Sequence, residues 1–290
     1  MNGDKHDPRR VAWVTGAGGL IGNYLVQTAS AFADGWRVIG LTRSQIDLAD
    51  FKAVATAFRK ENPRLIIHCA ALSRSPVCQG DPDLAWRTNV EVTKHLAALS
   101  SDIPLIFFSS DLVFDGNKGN YTENDPVNPL SVYAETKAAA ERLILENPKH
   151  TVVRTSLNGG TSPAGDRGFN EELRQAWQAG KTLSLFTDEF RSPIPAIVAA
   201  RGVWELAGKN QPGLYHLAGA ERLSRWQIGK LIASRWPQLS PRLEAASAKD
   251  YSGAPRPPDS SLNCRKVQEL LSFPLPRLSE WLAKHPEEPF

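Results

Sequence analysis

A tyrosine and a lysine stand four residues apart in the segment SVYAETK, at Tyr133 and Lys137. On an α-helix this spacing places both side chains on one face, one turn apart. A phenol can exchange a proton with a substrate oxygen, and a neighbouring ammonium lowers the phenol pKa from its ordinary value of about 10. The alternative is a surface pair in which the lysine stem covers the tyrosine ring.

A hydroxyl that could share this chemistry comes earlier in the chain. Ser110 ends the apolar run LIFFSS at 105–110, which predicts a strand, and Asp111 follows it. Ligands of parallel α/β sheets bind at the carboxyl ends of the strands. Ser110 could therefore donate a hydrogen bond to a substrate carbonyl, although a serine there can also be only a turn or cap residue. Asp111 is expected either to bind a substrate hydroxyl or to hold the loop.

The segment TGAGGLIG at 15–22 lies between a predicted strand and a predicted helix, and its glycines follow G-x-x-G-x-x-G. Such glycines permit a tight turn and close approach of the backbone to a pyrophosphate, whose charge the helix N-terminus favours. We interpret the segment as a dinucleotide-binding loop rather than a plain tight turn. Its predicted cofactor contacts are Gly16, Gly19, Leu20, Ile21 and Gly22.

The residues after the second predicted strand select the cofactor. An NAD site has a carboxylate there, whereas this chain has LTRS. The planar fork of Arg43 can pair with a 2′-phosphate, which favours NADPH over NADH unless Arg43 is only a solvated surface residue. Asp47 and Leu48 follow where an adenine edge would lie, although Asp47 could equally cap the next helix. The other predicted cofactor contacts are Thr42, Ala70, Ala71 and, for the nicotinamide ribose, Lys137.

These residues need a scaffold that brings strand ends together, and the sequence predicts one. Apolar runs predict strands at 11–16, 37–43, 64–71, 104–111 and 150–156. Amphipathic segments between them predict helices at 19–32, 50–61, 83–100 and 131–147, the second of which is capped by Asp47 or Asp50. Nearly continuous apolar strands separated by helices indicate a parallel sheet covered on both faces. The predicted fold class is a doubly wound, Rossmann-like α/β domain.

Beyond about residue 155 the alternation becomes irregular, with a glycine-rich loop, scattered helices and a proline-rich connection. A helix near 196–207 precedes the strand-like GLYHLAG, which suggests a return to the sheet. We predict an NADP-binding Rossmann domain at 1–155, with returns at about 196–220. Residues 156–290 are predicted to form mainly a small, partly discontinuous substrate lobe.

Composition narrows the function classes. The 290 residues are 41% hydrophobic and 22% charged, with a net charge of +3 spread along the chain, so nucleic-acid binding has little support. No apolar run approaches the roughly 20 residues of a membrane span. The polar start, expected to be a loose tail, has no segment of the signal-peptide kind. Three cysteines without metal-ligand spacing argue against a zinc site and a disulfide framework, so we expect a cytoplasmic protein.

Taken in order, the motifs resemble the extended short-chain dehydrogenase/reductase superfamily, and within it the dTDP-4-dehydrorhamnose reductase family. The resemblance spans about residues 11–282 and rests on TGAGGLIG, IDLAD, NPRLIIHCAA, WRTNV, FFSSDLVFDG, NPLSVYAETK, VVRTS, GLYHLAG and RPPDSSL. It implies a nicotinamide-binding domain with a small substrate lobe. It also implies a catalytic triad of Ser110, Tyr133 and Lys137, and reduction of a keto group on a nucleotide-linked deoxysugar.

The resemblance carries over to the substrate contacts only in part. Leu112 stands where the family usually has tyrosine, and LSRSPVCQ replaces a threonine followed by an acidic pair. Arg191, in DEFRSPIP, falls in a loop where the family has substrate-facing residues, so its fork could bind a diphosphate. Pairing of Arg191 with Asp188 or Glu189 is the alternative. The predicted substrate contacts are Ser73, Asp111, Tyr133 and Arg191.

Two other functions remain open at this point. One is an epimerase or dehydratase of the same superfamily, which would recycle its cofactor. The other is a non-catalytic, NADP-binding subunit, because the resemblance also reaches the regulatory subunit of methionine adenosyltransferase. The intact triad favours an enzyme over a purely regulatory protein. The predicted partners are a small-molecule substrate and, as one option for assembly, a second copy of the chain.

Overall fold

The computed structural model describes residues 9–288 and 290, so the tail predicted at the start of the chain lies outside it. The strands of this part are β1 (Arg10–Thr15), β2 (Trp36–Leu41), β3 (Leu65–His68), β4 (Leu105–Ser110), β5 (Thr151–Thr155), β6 (Asn158–Gly159), β7 (Thr182–Phe186), β8 (Phe190–Arg191), β9 (Ile194–Pro195), β10 (Gly213–His216), β11 (Leu223–Ser224) and β12 (Arg242–Ala246).

The α-helices of the same part are α1 (Leu20–Gln27), α2 (Ala29–Phe32), α3 (Phe51–Glu61), α4 (Ser75–Gly80), α5 (Pro82–Trp86), α6 (Val92–Leu99), α7 (Val132–Leu145), α8 (Phe169–Gln178), α9 (Ala196–Gly208), α10 (Arg225–Ala233), α11 (Arg265–Gln268) and α12 (Leu278–Lys284). A π-helical turn, Arg87–Glu91, joins α5 to α6. Within residues 9–288 and 290, no helix is both long enough and apolar enough to cross a membrane.

The central sheet has the strand order β2-β1-β3-β4-β5-β10, and every neighbouring pair is parallel. The order reverses at β1, since the chain passes first to β2 on one side and then to β3 on the other. The helices that follow β1 and β3 therefore lie on opposite faces of the sheet, which in such folds leaves a ligand-binding crevice at the carboxyl edge. This topology confirms the predicted doubly wound α/β fold.

Both faces of the sheet are covered, which explains why its strands are apolar nearly throughout. Alternate residues of β1 point to opposite sides. Ala12 and Val14 belong to the core beneath α1 and α9, while Val11 and Trp13 belong to the core beneath α3, α6 and α7. The indole N–H of Trp204 in α9 donates to the Leu25 carbonyl oxygen at 3.1 Å and ties α9 to α1.

The chain beyond β5 contributes to two regions. Helix α9 packs against α1 and strand β10 pairs with β5, as expected of a return to the sheet. The other segments enclose a separate core that joins α8, α10 and α12 and includes Leu173, Trp177, Ile228 and Trp281. We call the part of the chain around this second core the lobe; its role in substrate binding stays a prediction. The domain boundary at residue 155 stays a prediction.

Helix α1 approaches β1 so closely that Gly22 has no space for a side chain. A Cβ at Gly22 would overlap the carbonyl oxygen of Gly16. We expect Gly22→Ala to lower the free energy of unfolding by about 1–3 kcal/mol, because backbone must move to relieve the overlap. Thermal unfolding measures the loss. The matched control is Gly208→Ala at the end of α9, where a Cβ meets nothing within 4 Å. Equal melting temperatures for Gly22→Ala and wild type would contradict this packing.

Candidate active site

The loop after β1 is pressed against the segment that follows β3. Gly16 has φ +71°, and a Cβ there would lie 2.6 Å from the Ala70 nitrogen, so only glycine fits both the conformation and the space. The Ala70 N–H in turn donates to Thr15 Oγ1 at 3.3 Å. These contacts bring Gly16 and Ala70 together at the carboxyl edge; cofactor binding by Gly16, Ala70 and Ala71 stays a prediction.

The start of α1 can hold a phosphate group. The first hydrogen bond of the helix runs from the Asn23 N–H to the Gly19 carbonyl oxygen at 3.1 Å, so the N–H groups of Leu20 and Ile21 lie ahead of it. At Gly18, an added Cβ would meet only Thr42 Cγ2 at 3.9 Å, which leaves open space beside these N–H groups. A helix N-terminus with an open, glycine-lined approach fits a pyrophosphate.

The residues after β2 divide into anchored and free side chains. Thr42 Oγ1 donates to Gln45 Oε1 at 2.8 Å, and Asp47 Oδ1 accepts from the Ala49 N–H at 3.0 Å. Asp50, not Asp47, caps α3 by accepting from the Ala53 N–H. Leu48 packs against the core. Arg43 is exposed and has no hydrogen-bonding or ionic partner in the described part of the chain, so its guanidinium is free for an anionic ligand.

The three residues of the predicted triad lie at the carboxyl edge of the sheet, near the loop after β1. Ser110 is the last residue of β4 and is buried. Ser131 caps α7 by accepting from the Ala134 N–H at 3.4 Å, which fixes the first turn that carries Tyr133. Lys137 follows one turn later and is 3% exposed, and its ammonium lies 3.9 Å from the centroid of the Phe107 ring.

Burial controls the protonation of Tyr133 and Lys137. It raises the pKa of Tyr133 to about 12; a hydrogen bond with Ser110 opposes this rise, the Asp111 charge adds to it, and the charge of Arg191 opposes it. Burial also lowers the pKa of Lys137 to about 7, against the opposing effects of Glu141 and Cys69. The effect of Lys137 on the Tyr133 pKa stays a prediction. The phenol is protonated at neutral pH, as a proton donor must be.

Sequence reasoning did not identify Asn89 as part of the site. Its Oδ1 accepts from the Leu72 N–H at 2.7 Å, and its Nδ2 donates to the Leu72 carbonyl and Thr136 Oγ1, both at 3.0 Å. Thr136 Oγ1 donates to the Tyr133 carbonyl oxygen at 2.7 Å. Asn89 lies in the π-helical turn and ties the segment after β3 to the first turn of α7. The local sequence WRTNV, which contains Asn89, does not indicate that Asn89 joins these two segments.

Asp111 and Arg191, both predicted substrate contacts, bind each other. Asp111 is 0% exposed and Arg191 is 4% exposed. Arg191 Nε donates to Asp111 Oδ2 at 2.6 Å, and its Nη2 donates to Oδ1. Neither group presents its charge to the crevice, so the structure reassigns both from substrate contact to internal ion pair. The alternative partner Glu189 is also present, with 3.8 Å between Arg191 Nη1 and Glu189 Oε1.

Glu189 is the centre of an arginine cluster that the sequence did not reveal. Arg225 Nε donates to Glu189 Oε1 at 2.9 Å, and Arg256 binds both carboxylate oxygens, at 2.5 and 3.0 Å. Burial alone would raise the Glu189 pKa, but the neighbouring arginines outweigh it and lower that pKa to about 2. With Arg191 and Asp111, three guanidinium groups face two carboxylates. The cluster therefore keeps one net positive charge in the lobe.

The remaining predicted contact, Ser73, is exposed in the segment after β3. The next residue, Arg74, reaches across to the glycine-rich loop, where its Nη2 donates to the carbonyl oxygen and to Oδ2 of Asp166, both at 3.2 Å. Ser73 therefore lies where the two halves of the molecule face each other. Its role in substrate binding stays a prediction.

The chain is similar to reductases and to a subunit of methionine adenosyltransferase. The family model described as RmlD substrate binding domain matches residues 10–288. A probable low-salt glycan biosynthesis reductase of Haloferax volcanii is 30% identical over 289 residues, covering 94% of this chain and 96% of that protein. Methionine adenosyltransferase 2 subunit beta of Rattus norvegicus is 28% identical, covering 91% and 83%. A dTDP-4-dehydrorhamnose reductase of Bacillus anthracis, solved with NADP, shares the fold with TM-score 0.86 at 22% identity, covering 95% and 98%.

The buried lysine predicts a pH-dependent stability difference. The Lys137 pKa falls from an ordinary 10.5 in the unfolded chain to about 7 in the folded protein. Between these values the unfolded chain binds more protons, so the stability contributed at this position rises with pH. Lys137→Met lacks this rise and should be more stable than wild type at about pH 6.5, with a smaller advantage at about pH 9.5. Chemical denaturation at the two pH values measures it. A difference that does not change with pH would contradict the burial of the ammonium.

Proposed function

The chain belongs to the RmlD substrate binding domain family, and from this premise we propose that it is an NADPH-dependent carbonyl reductase acting on a nucleotide-linked 4-keto-deoxysugar. The observation that carries the proposal is the protonated Tyr133 phenol beside Ser110, at the carboxyl edge of the sheet. The same edge holds the glycine-rich loop at 15–22, which follows β1. A protonated phenol is the form that a reductase needs when its substrate oxygen must gain a proton.

The residues at the carboxyl edge fit a nicotinamide cofactor. When bound, NADPH supplies the hydride that reduces the substrate carbonyl carbon. The N–H groups at the start of α1 would hold its pyrophosphate, and Arg43 would pair with the 2′-phosphate. Lys137 would hydrogen-bond the nicotinamide ribose. The fold is shared with a dTDP-4-dehydrorhamnose reductase that was solved in complex with NADP, which supports this choice of cofactor.

The protein itself supplies the proton that the substrate oxygen gains. Tyr133 would donate its phenolic proton to the carbonyl oxygen, while Ser110 donates a hydrogen bond to the same oxygen and stabilises the charge that develops there. The carbonyl thereby becomes an alcohol. The Tyr133 phenolate that remains is a strong base, because the pKa of the phenol is about 12. It takes up a proton from solvent before the next turnover.

The lobe supports an anionic substrate. The arginine cluster around Glu189 keeps one net positive charge, and Arg256 lies 5.5 Å from the Phe186 ring centroid and 5.6 Å from that of Tyr251. Guanidinium groups beside aromatic rings suit a nucleoside diphosphate, which combines phosphates with a flat base. The similarity to a probable glycan biosynthesis reductase of Haloferax volcanii agrees with a sugar substrate. Screening NADPH oxidation against nucleotide-ketosugars and simpler ketones tests the substrate class.

A second candidate follows from the similarity to methionine adenosyltransferase 2 subunit beta. In that case the protein would bind NADP and a larger enzyme without reducing a substrate. The same screen separates the two candidates, because a subunit would oxidise no NADPH and would co-purify with its partner. An epimerase would convert its substrate without net oxidation of cofactor. The mass of the protein in solution distinguishes a homodimer from such a complex.

Cofactor choice depends on Arg43 in this proposal. Arg43→Ala should weaken NADPH binding about 10- to 150-fold, the equivalent of one charge-assisted contact of roughly 1.5–3 kcal/mol, and leave NADH binding nearly unchanged. Dissociation constants from fluorescence titration measure both. The matched control is Arg59→Ala, which removes an exposed arginine of α3. It should change the dissociation constant of neither cofactor. Equal losses for both cofactors would contradict the assignment of Arg43.

The acid role of Tyr133 has its own test. Tyr133→Phe removes one hydroxyl, so the protein should still fold and bind NADPH, while turnover falls by roughly 10²–10⁴. Single-turnover reduction at saturating NADPH measures the chemical step. Ser110→Ala should lower turnover less than Tyr133→Phe does, because Tyr133 would still donate to the carbonyl oxygen. A wild-type rate for Tyr133→Phe would exclude the phenol as the proton donor.

A further inference from the structure

Asp111 accepts more hydrogen bonds than any role in binding a substrate hydroxyl would need. Its carboxylate is fully buried and touches only protein groups. The donors come from the ends of two central strands, from the lobe and from the C-terminal segment: Ser110 Oγ at 3.2 Å, Ser156 Oγ at 2.6 Å, Arg191 Nε at 2.6 Å, Arg191 Nη2, and Ser260 Oγ at 3.3 Å. One carboxylate thus joins four chain segments around Tyr133.

These hydrogen bonds differ in length, and the difference matters for Ser110. The bonds from Arg191 Nε and Ser156 are short, whereas the one from Ser110 is among the longest. Ser110 Oγ also accepts from the Leu112 N–H at 3.2 Å. The hydroxyl is therefore held from two sides, with its proton directed to Asp111. If Ser110 turns its proton to a substrate carbonyl, Asp111 keeps its other donors and remains satisfied.

We propose that Asp111 and Arg191 are positioning residues for the proposed reduction, which together hold the Ser110 hydroxyl where it meets both Tyr133 and the substrate carbonyl. This inference rests on the proposed function. Asp111 fixes the direction of the Ser110 proton until that proton turns to the substrate carbonyl. Arg191 binds both oxygens of Asp111 and so fixes the plane of the carboxylate.

Arg191 also connects the reacting centre to the lobe. It lies in β8, which pairs with β11, and its Nη1 lies 3.8 Å from Glu189 in the arginine cluster. A buried carboxylate without its partner would be strongly unfavourable, so Asp111 depends on Arg191 to stay in place. The position of Ser110 is therefore tied to the correct seating of the lobe on the sheet.

A double-mutant cycle tests whether Asp111 acts through Ser110. Asp111→Asn keeps the size of the side chain, but its amide can accept only one of the two Arg191 bonds and directs an N–H toward a hydroxyl. It should lower kcat about 10-fold or more, with KM and NADPH affinity nearly unchanged. In a Ser110→Ala background the same change should alter kcat less than about 2-fold, because the group it positions is gone. Losses that multiply in the double variant would overturn the proposal.

A control and a second variant protect this cycle against simple destabilisation. Glu205 also binds several partners, Arg201 and Ser272, but it lies near the end of α9 that leads into β10, at the opposite edge of the sheet. Glu205→Gln should lower the melting temperature and leave kcat unchanged. If Asp111→Asn does not fold, Arg191→Lys takes its place in the cycle, since it keeps the charge but loses the two-point contact. Its loss of kcat should likewise disappear in the Ser110→Ala background.

A titration of the free protein tests the pair without turnover. The groups that face the phenol are Ser110 and Asp111 at the end of β4, Cys78 in α4 and Arg191 in β8. Asp111→Asn removes a negative charge that raises the Tyr133 pKa, so phenolate absorbance, taken as the difference from matched Tyr133→Phe proteins, should rise at lower pH than in wild type. If the Tyr133 titration is the same in Asp111→Asn and in wild type, the positioning role of Asp111 and Arg191 is overturned. A wild-type protein that oxidises no NADPH contradicts only the proposed function, and the titration then decides the positioning role.

Discussion

The buried contact between Asp111 and Arg191 is the constraint on which the arrangement of the site depends. Asp111 follows the strand that ends in Ser110, and Arg191 belongs to the lobe. An ion pair with both partners nearly inaccessible to water has little tolerance for displacement, because a lost contact leaves a charge uncompensated at low dielectric. The serines that share the carboxylate, Ser156 and Ser260, add segments that are distant in sequence. The end of β4 and the lobe are therefore joined by one buried electrostatic contact.

Burial then determines the electrostatics of the reacting groups. It disfavours charge on both Tyr133 and Lys137, so in the free protein the phenol is neutral and the amine is near the midpoint of its titration at pH 7. A polyanionic cofactor beside Lys137 would favour the ammonium, which in turn would stabilise the phenolate left after proton donation. The dependence of tyrosine on lysine that the sequence suggests would then be strongest with the cofactor bound.

The sequence predicts the fold well because the signals are local. Apolar runs, the glycine spacing and the Asp50 cap each act within a few residues, and the strands they predict form the sheet. Lys137 shows the limit of such signals: its spacing from Tyr133 fixes the helix face but not the distance, and the ammonium lies over Phe107 instead. The Asp111–Arg191 pair joins residues 80 positions apart, and nothing near either residue indicates that both are buried. Asn89 lies in a π-helical turn, and the periodicity of apolar residues in the sequence does not reveal the register of that turn.

The central claim is that the protein transfers hydride to a sugar carbonyl and adds a proton from Tyr133. The most direct measurement uses NADPH deuterated at the transferable C4 position with a nucleotide-linked 4-keto-deoxysugar, followed by mass and NMR analysis of the product. The account predicts one deuterium on the new carbinol carbon and one NADP⁺ formed for each alcohol. Product without deuterium, or cofactor that is not oxidised while the sugar changes, would contradict it and favour an epimerase. No conversion of any ketosugar would favour the non-catalytic subunit.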